Sequence, residues 1–202
     1  MAILEAHPAI DPQKLDKLAE VAVHVGLNLQ EGQDLVLTAP LEAMPLVRRI
    51  AAVAYRAGAG LVTPLVHDEQ VVLARFAHGN DASFDRAANW LFNGMAEAYD
   101  NNAARMNISG ENPGLLAGQD PEKISRIGKA NSIAGRPAME RITGFNINWS
   151  IVAYPTVAWA RKVFPDVDEA AAVGQLAEAI FAASRVNEVY PVAAWAEHDA
   201  RL

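Results

Sequence analysis

The chain has 202 residues, 51% of them hydrophobic and 20% charged, a composition and length that can bury a sizeable core. Its 24 acidic and 17 basic residues leave a net charge of −7 with no cluster of Lys or Arg, which argues against nucleic acid as a partner. With no cysteine there is no disulfide, thiolate metal site or cysteine nucleophile, and no apolar run reaches the roughly 18 residues of a membrane span.

The opening MAILEAHPAI has no basic region ahead of a long apolar core, so a signal peptide is not expected and the cytoplasm is the expected location. Asp11-Pro12 then starts a helix. The Asp side chain can cap free backbone N–H groups, and Pro at the first helical position forfeits an N–H that has no partner there anyway. Leu15, Leu18, Ala22 and Val25 share one face, and Gly26 is placed to end the helix. LVLTAP (35–40) reads as the first strand, and MPLVRRIAAVAYRAGAG (44–60) as a helix closed at Gly58. LVTPLVHD (61–68) reads as the second strand. Pro64 cannot donate to a ladder, which places that strand at a sheet edge.

SFDRAANWLFNGMAEAYDNN (83–102) predicts one helix capped by Ser83, with Ala87, Leu91, Met95 and Ala98 inward. ARMNIS (104–109) is the third strand. Asp120-Pro121 repeats the Asp-Pro helix start and opens EKISRIGKANSIA (122–134). NINWSIVAYP (146–155) is the fourth strand. Asp168 caps a further helix with Val173, Leu176, Ala177, Ile180 and Phe181 buried, and a last helical pattern after Pro191 runs to Leu202 without a Gly or Asn cap. Strands that alternate with helices, and that are apolar runs more than strict alternations, imply an α/β fold. The expected architecture is an open, mostly parallel sheet of four strands in order 2-1-3-4, covered by helices on both faces. Trp149 and Trp159 are expected to fill core volume.

In such a sheet, ligands bind beyond the carboxyl ends of the strands. Those ends are Thr38-Ala39-Pro40, His67-Asp68-Glu69, Ser109-Gly110-Glu111 and Tyr154-Pro155, which makes His67, Asp68, Ser109 and Gly110 the candidate cavity residues. His67-Asp68-Glu69 lacks a second histidine at helical or hairpin spacing, so a solvated polar loop is expected there and not a metal site. NISGEN (107–112) is not a Gly-x-Ser-x-Gly elbow, and neither a His-Glu-x-x-His nor a Gly-rich phosphate loop occurs. His24 is expected at the boundary of its helix's apolar face, and His7, His78 and His198 in solvent. The residues assemble no complete active site: no catalytic and no metal-ligating residue is assigned.

The chain nevertheless resembles the amino-terminal half of the aminopeptidase T family of metallopeptidases. The matching residues are KLAEVAVHVGLNLQEGQDLVLTAPLEA (17–43), FDRAANWLFNGMAEAY (84–99), RMNISGENPGLLAG (105–118), NWSIVAYPTVAWARKVFP (148–165) and AIFAASRVNEVYPVAAWAEH (179–198). The Asn-Trp-Ser-Ile-Val…Pro…Trp-Ala…Phe-Pro series carries most of the specificity, because each aromatic keeps its spacing. The resemblance implies an enzyme that removes amino-terminal residues from peptides with two divalent metal ions, zinc or cobalt, whose ligands lie in a carboxy-terminal half beyond this sequence. It also implies an α/β domain at 1–186 that walls the substrate cavity, and a connecting helix beginning at 187–202. The implied partners are a peptide substrate, the carboxy-terminal catalytic domain and, as an open possibility, further copies of the chain. A stand-alone binding or scaffold domain, or a small α/β enzyme with an unrecognised site, are the alternatives.

Overall fold

A computed structural model describes residues 5–201. The first four residues of the opening segment and Leu202, on which the reading of the final helix partly rested, lie outside the described residues. Helix α1 (Pro12–Val21) begins as its sequence dictates, with Asp11 Oδ1 accepting the N–H groups of Gln13 at 2.8 Å and Lys14 at 3.3 Å. It does not end at Gly26. It widens into a π-helical stretch, Ala22–Leu27, and exits at Asn28, whose φ of 50° is left-handed. The wider turn shifts the inward face, so Val23 and Leu27 are buried while Val25 is half-buried. Gly26 serves close approach instead: a Cβ there would lie 2.7 Å from Ser150 Oγ.

Strands β1 (Leu35–Pro40), β2 (Val62–His67), β3 (Ala104–Ser109) and β4 (Trp149–Ala153) form one parallel sheet in the order β2-β1-β3-β4, with Pro64 on an outer strand as its chemistry requires. Helices α2 (Met44–Arg56), α6 (Val157–Val163) and α7 (Glu169–Ala183) join α1 on one face. There Leu35, Leu37, Ala39, Met106 and Ile108 meet Leu18, Leu46, Ile50 and Phe181 in the main core. Lys14–Glu178 at 2.6 Å ties α1 to α7, and Arg49–Asp16 at 2.6 Å ties α2 to α1. The opposite face carries α4 (Asn89–Asp100) and α5 (Pro121–Thr143) over a smaller core of Val36, Ala96, Tyr99, Ala138, Ile142 and Ile147.

Several local expectations change. Helix α3 (Glu69–His78) was not anticipated from the sequence; Val72, Leu73 and Phe76 share one face but are only half-buried, and its first turn is capped by Asp68. Ser83 is no helix cap, because it sits inside a 3-10 turn, Asp81–Asp85, capped by Asn80. Burial of Phe84 and the grip of Arg126 on Asp81 and Asp85 hold that turn, and the extended Arg86 that follows delays α4 to Asn89. Helix α5 runs nine residues past Ala134, straight through Pro137. Trp149 is 37% exposed and not in the core, because β4 is an outer strand with one face open, whereas Trp159 does pack against the main core. Helix α8 (Pro191–Asp199) ends at Asp199, before the end of the chain.

Candidate functional site

The chain leaves β1 through α2 toward one side of the sheet and reaches β3 and β4 through helices on the other. The carboxyl ends of β1 and β3 therefore diverge, which opens a crevice. A cavity of about 530 Å³ occupies that place, within the range of small-molecule sites. Its walls are Pro40–Glu42 after β1, Asp68–Gln70 after β2, Gly110 and Asn112 after β3, Tyr154–Ala158 after β4, and Glu5–Pro8 before α1.

The β3–β4 side is locked by close contacts. Thr156, buried, donates its hydroxyl to the Gly110 carbonyl at 2.5 Å, and Tyr154 N–H donates to Ser109 O at 2.8 Å. A Cβ on Gly110 would stand 2.6 Å from the Tyr154 carbonyl oxygen and 3.0 Å from Thr156 Cγ2, so only glycine fits. Across the cavity Asn112 N–H donates to Glu69 Oε1 at 2.6 Å, which pins the loop after β3 to the start of α3.

Glu5, Glu42, Asp68 and Glu69 give the walls four acidic side chains, and no Lys or Arg is among the lining residues. The Glu42 carboxyl titrates above its ordinary range. Partial desolvation is the main cause, the Val157 backbone N–H opposes it, and the nearby negative charge of Glu69 adds to it. Burial pushes the Tyr154 phenol up to about 12, with Arg49 pulling it down and Glu42 pushing it up, so the phenol stays neutral across physiological pH.

Of the four strand-end candidates, Asp68 and Gly110 line the cavity. The Asp68 carboxylate already serves as the α3 cap, accepting Gln70 N–H at 2.8 Å. His67 turns to Glu111, with 3.9 Å between Nε2 and Oε1, and Ser109 stays in the ladder opposite Ala153; neither side chain is among the lining residues. Glu42, Thr156 and His7 were not singled out for the site in the sequence. Only a rule that counts the two or three residues after each strand would have found the first two. His7 Nδ1 accepts Ala9 N–H at 3.2 Å on the cavity wall, away from the solvated setting expected of it. Among the described residues no group of three or more His, Asp or Glu side chains is placed to hold a metal ion. That donor set does not fit the pair of divalent ions implied for a full-length enzyme. Among the described residues, no helix is long and apolar enough to cross a membrane.

Fold and crevice together define a doubly wound α/β domain with a ligand-sized space at its switch point. The model of the thermophilic metalloprotease (M29) family matches residues 11–202, and the chain belongs to that family. It is 46% identical to aminopeptidase T of Thermus thermophilus over 94% of this chain and 47% of that protein. It is also 40% identical to aminopeptidase 2 of Geobacillus stearothermophilus, over 94% of this chain and 46% of that one. The solved structure of wild-type AmpT from Thermus thermophilus superposes with a TM-score of 0.87 at 45% identity, covering 94% of this chain and 46% of that chain. The chain thus spans about half the length of the curated relatives it matches.

Proposed function

We propose that this chain is the non-catalytic amino-terminal half of a two-metal aminopeptidase that removes amino-terminal residues from peptides, and that its strand-end cavity forms part of the wall of the peptide-binding space. The observation that carries this reading is the match of nearly the whole chain to less than half of several aminopeptidases. On this reading residues 1–186 are the wall-forming domain and 187–202, with α8, begin the connection to the catalytic half. The half described shapes and charges the space: a rigid β3–β4 side set by Gly110 and Thr156, and an acidic lining that favours ammonium or basic groups. The divalent ions implied for the full-length enzyme would be held by the other half and would supply Lewis-acid chemistry there.

Two measurements test the reading. The purified chain, given leucyl-p-nitroanilide with cobalt or zinc, is expected to release no nitroaniline; metal-dependent release would assign catalysis to this half. In a full-length enzyme, Glu42→Gln, Asp68→Ala and Gly110→Ala are expected to change the preference for peptide length, and an unchanged preference counts against the cavity-wall role. A second reading, a stand-alone binding domain, draws on one observation: residues of this chain line a cavity of about 530 Å³, a ligand-sized space. Binding of small peptides by the 202-residue chain, unaffected by addition of a catalytic half, would favour it.

A further inference from the structure

The cavity at the strand ends carries negative charge that its own walls do not answer. Of its four carboxylates two are engaged: Asp68 accepts the Gln70 N–H at 2.8 Å as the α3 cap, and Glu69 Oε1 accepts the Asn112 N–H at 2.6 Å. Glu42 forms no ion pair among the described residues. Its carboxyl stands in a partly desolvated place, with the charge of Glu69 against it and the Val157 N–H in its favour.

Tyr154 makes a second, independent observation. It lines the same cavity at 3% exposure, and its phenol lies near enough to Glu42 to feel that charge, so the hydroxyl faces the acidic part of the space. Among the described residues no group hydrogen-bonds the phenol oxygen. A buried hydroxyl in that state costs free energy unless something entering the cavity supplies the bond. Arg49, whose charge the phenol also feels, is held elsewhere: its Nε donates to Asp16 at 2.6 Å and its Nη1 to Pro45 O at 2.9 Å, and it is not among the lining residues.

We propose that the cavity receives a basic side chain of the peptide, a lysine ammonium or arginine guanidinium, with Glu42 as its charge partner and the Tyr154 phenol oxygen accepting one of its N–H groups. Glu42 is then a specificity-determining residue. This deepens the reading of the chain as half of an aminopeptidase and rests on it. Both groups of the pair only accept from such a ligand, and a basic side chain has donors alone. Its aliphatic stem suits Leu41, Pro155 and Val157 on the same walls. The ammonium at the peptide's own amino terminus belongs beside the scissile bond, and among the described residues no donor set holds the metal ions expected there.

Calorimetric titration of the 202-residue chain tests this with three peptides: acetyl-Ala-Lys-Ala-amide, acetyl-Ala-norleucine-Ala-amide and the unacetylated norleucine peptide. The lysine peptide should bind about tenfold or more tighter than its acetylated norleucine twin. Glu42→Gln should remove most of that difference. Tyr154→Phe, which keeps the ring in the core, should weaken the lysine peptide about threefold and leave the acetylated norleucine peptide unchanged. Glu140→Gln, the same change of charge on the exposed side of α5, should alter neither by more than about twofold. Equal affinities for the two acetylated peptides, or a preference that survives Glu42→Gln, would overturn the inference. So would tight, Glu42-dependent binding of the unacetylated norleucine peptide matching that of the lysine peptide, which would give the cavity to the amino terminus. The proposed function fails separately: a chain that binds lysine selectively and also hydrolyses leucyl-p-nitroanilide with metal would keep this inference and overturn the non-catalytic reading.

Discussion

One face of the sheet presents Leu35, Leu37, Ala39, Met106 and Ile108 to four helices, and each of these strand side chains is sealed from solvent. The other presents Val36, Thr38, Leu65, Arg105, Asn107, Trp149 and Ile151 to two helices, and of these only Val36 is fully buried. The polar pair in its middle satisfies itself, Thr38 Oγ1 donating to Asn107 Oδ1 at 2.7 Å. Exposed ion pairs flank the apolar contacts of α4 and α5: Arg126 grips Asp81 and Asp85, and Arg141 binds Asp100 at 2.8 Å. The lesson is a division of labour, in which one face supplies stability and the other is left available for contacts.

That division can be broken most directly by paired truncations. Leu37→Ala, at a fully buried site, is expected to cost about 2–5 kcal/mol in urea unfolding, whereas Ile151→Ala, exposed on the open face, should stay within about 0.5 kcal/mol. Equal costs would mean that the two faces do not differ. Next in size is the site that joins the faces at the strand ends. Gly110→Ala must push apart the Tyr154 carbonyl and Thr156, an overpacking worth about 1–3 kcal/mol, read as a fall in Tm. Thr156→Val, which leaves the Gly110 carbonyl without its donor, should cost about 1–2 kcal/mol by the same measurement.

Smaller effects appear with pH. Hydrogen bonds from Arg126 hold the Asp81 and Asp85 carboxyls below their usual 3.8, and Arg141 does the same for Asp100. These groups therefore contribute stability that is complete above pH 3.8 and fades as pH falls through their lower native values. Amide exchange over 89–143 is expected to quicken before that of β1 and α2 on acidification, and Asp100→Asn to remove part of the difference; uniform quickening would erase the contrast. Glu42 runs the other way. Its raised value means that it favours the native state fully below pH 4.5 and loses that contribution as pH rises through the native pKa. Glu42→Gln should lift Tm slightly at neutral pH and leave it unchanged in acid.

What the residues alone determined was local or statistical in kind. Asp11-Pro12 and Asp120-Pro121 start helices because cap and ring act within one turn, and the structure keeps both. Pro64 consigned β2 to an edge because it lacks a donor, and alternating apolar runs and helices required a parallel, doubly covered sheet. The spaced aromatics from Trp149 to Phe164 pointed to the family that the match over 11–202 then supplied.

Tertiary structure decided the rest, for a physical reason common to each case. Helix α3 has no fully buried residue, so its local signs, the Asp68 cap, Glu69 in the first turn and Arg75 in the last, come without a deep apolar face. Trp149 looks like core in a strand of apolar residues, and is exposed because burial depends on which strand has neighbours on both sides. The cavity draws Glu42, Asp68, Gly110, Thr156 and His7 from five separate segments. Each segment is legible as a strand end or a cap, but their meeting is a property of the strand order, which no single stretch of the chain contains.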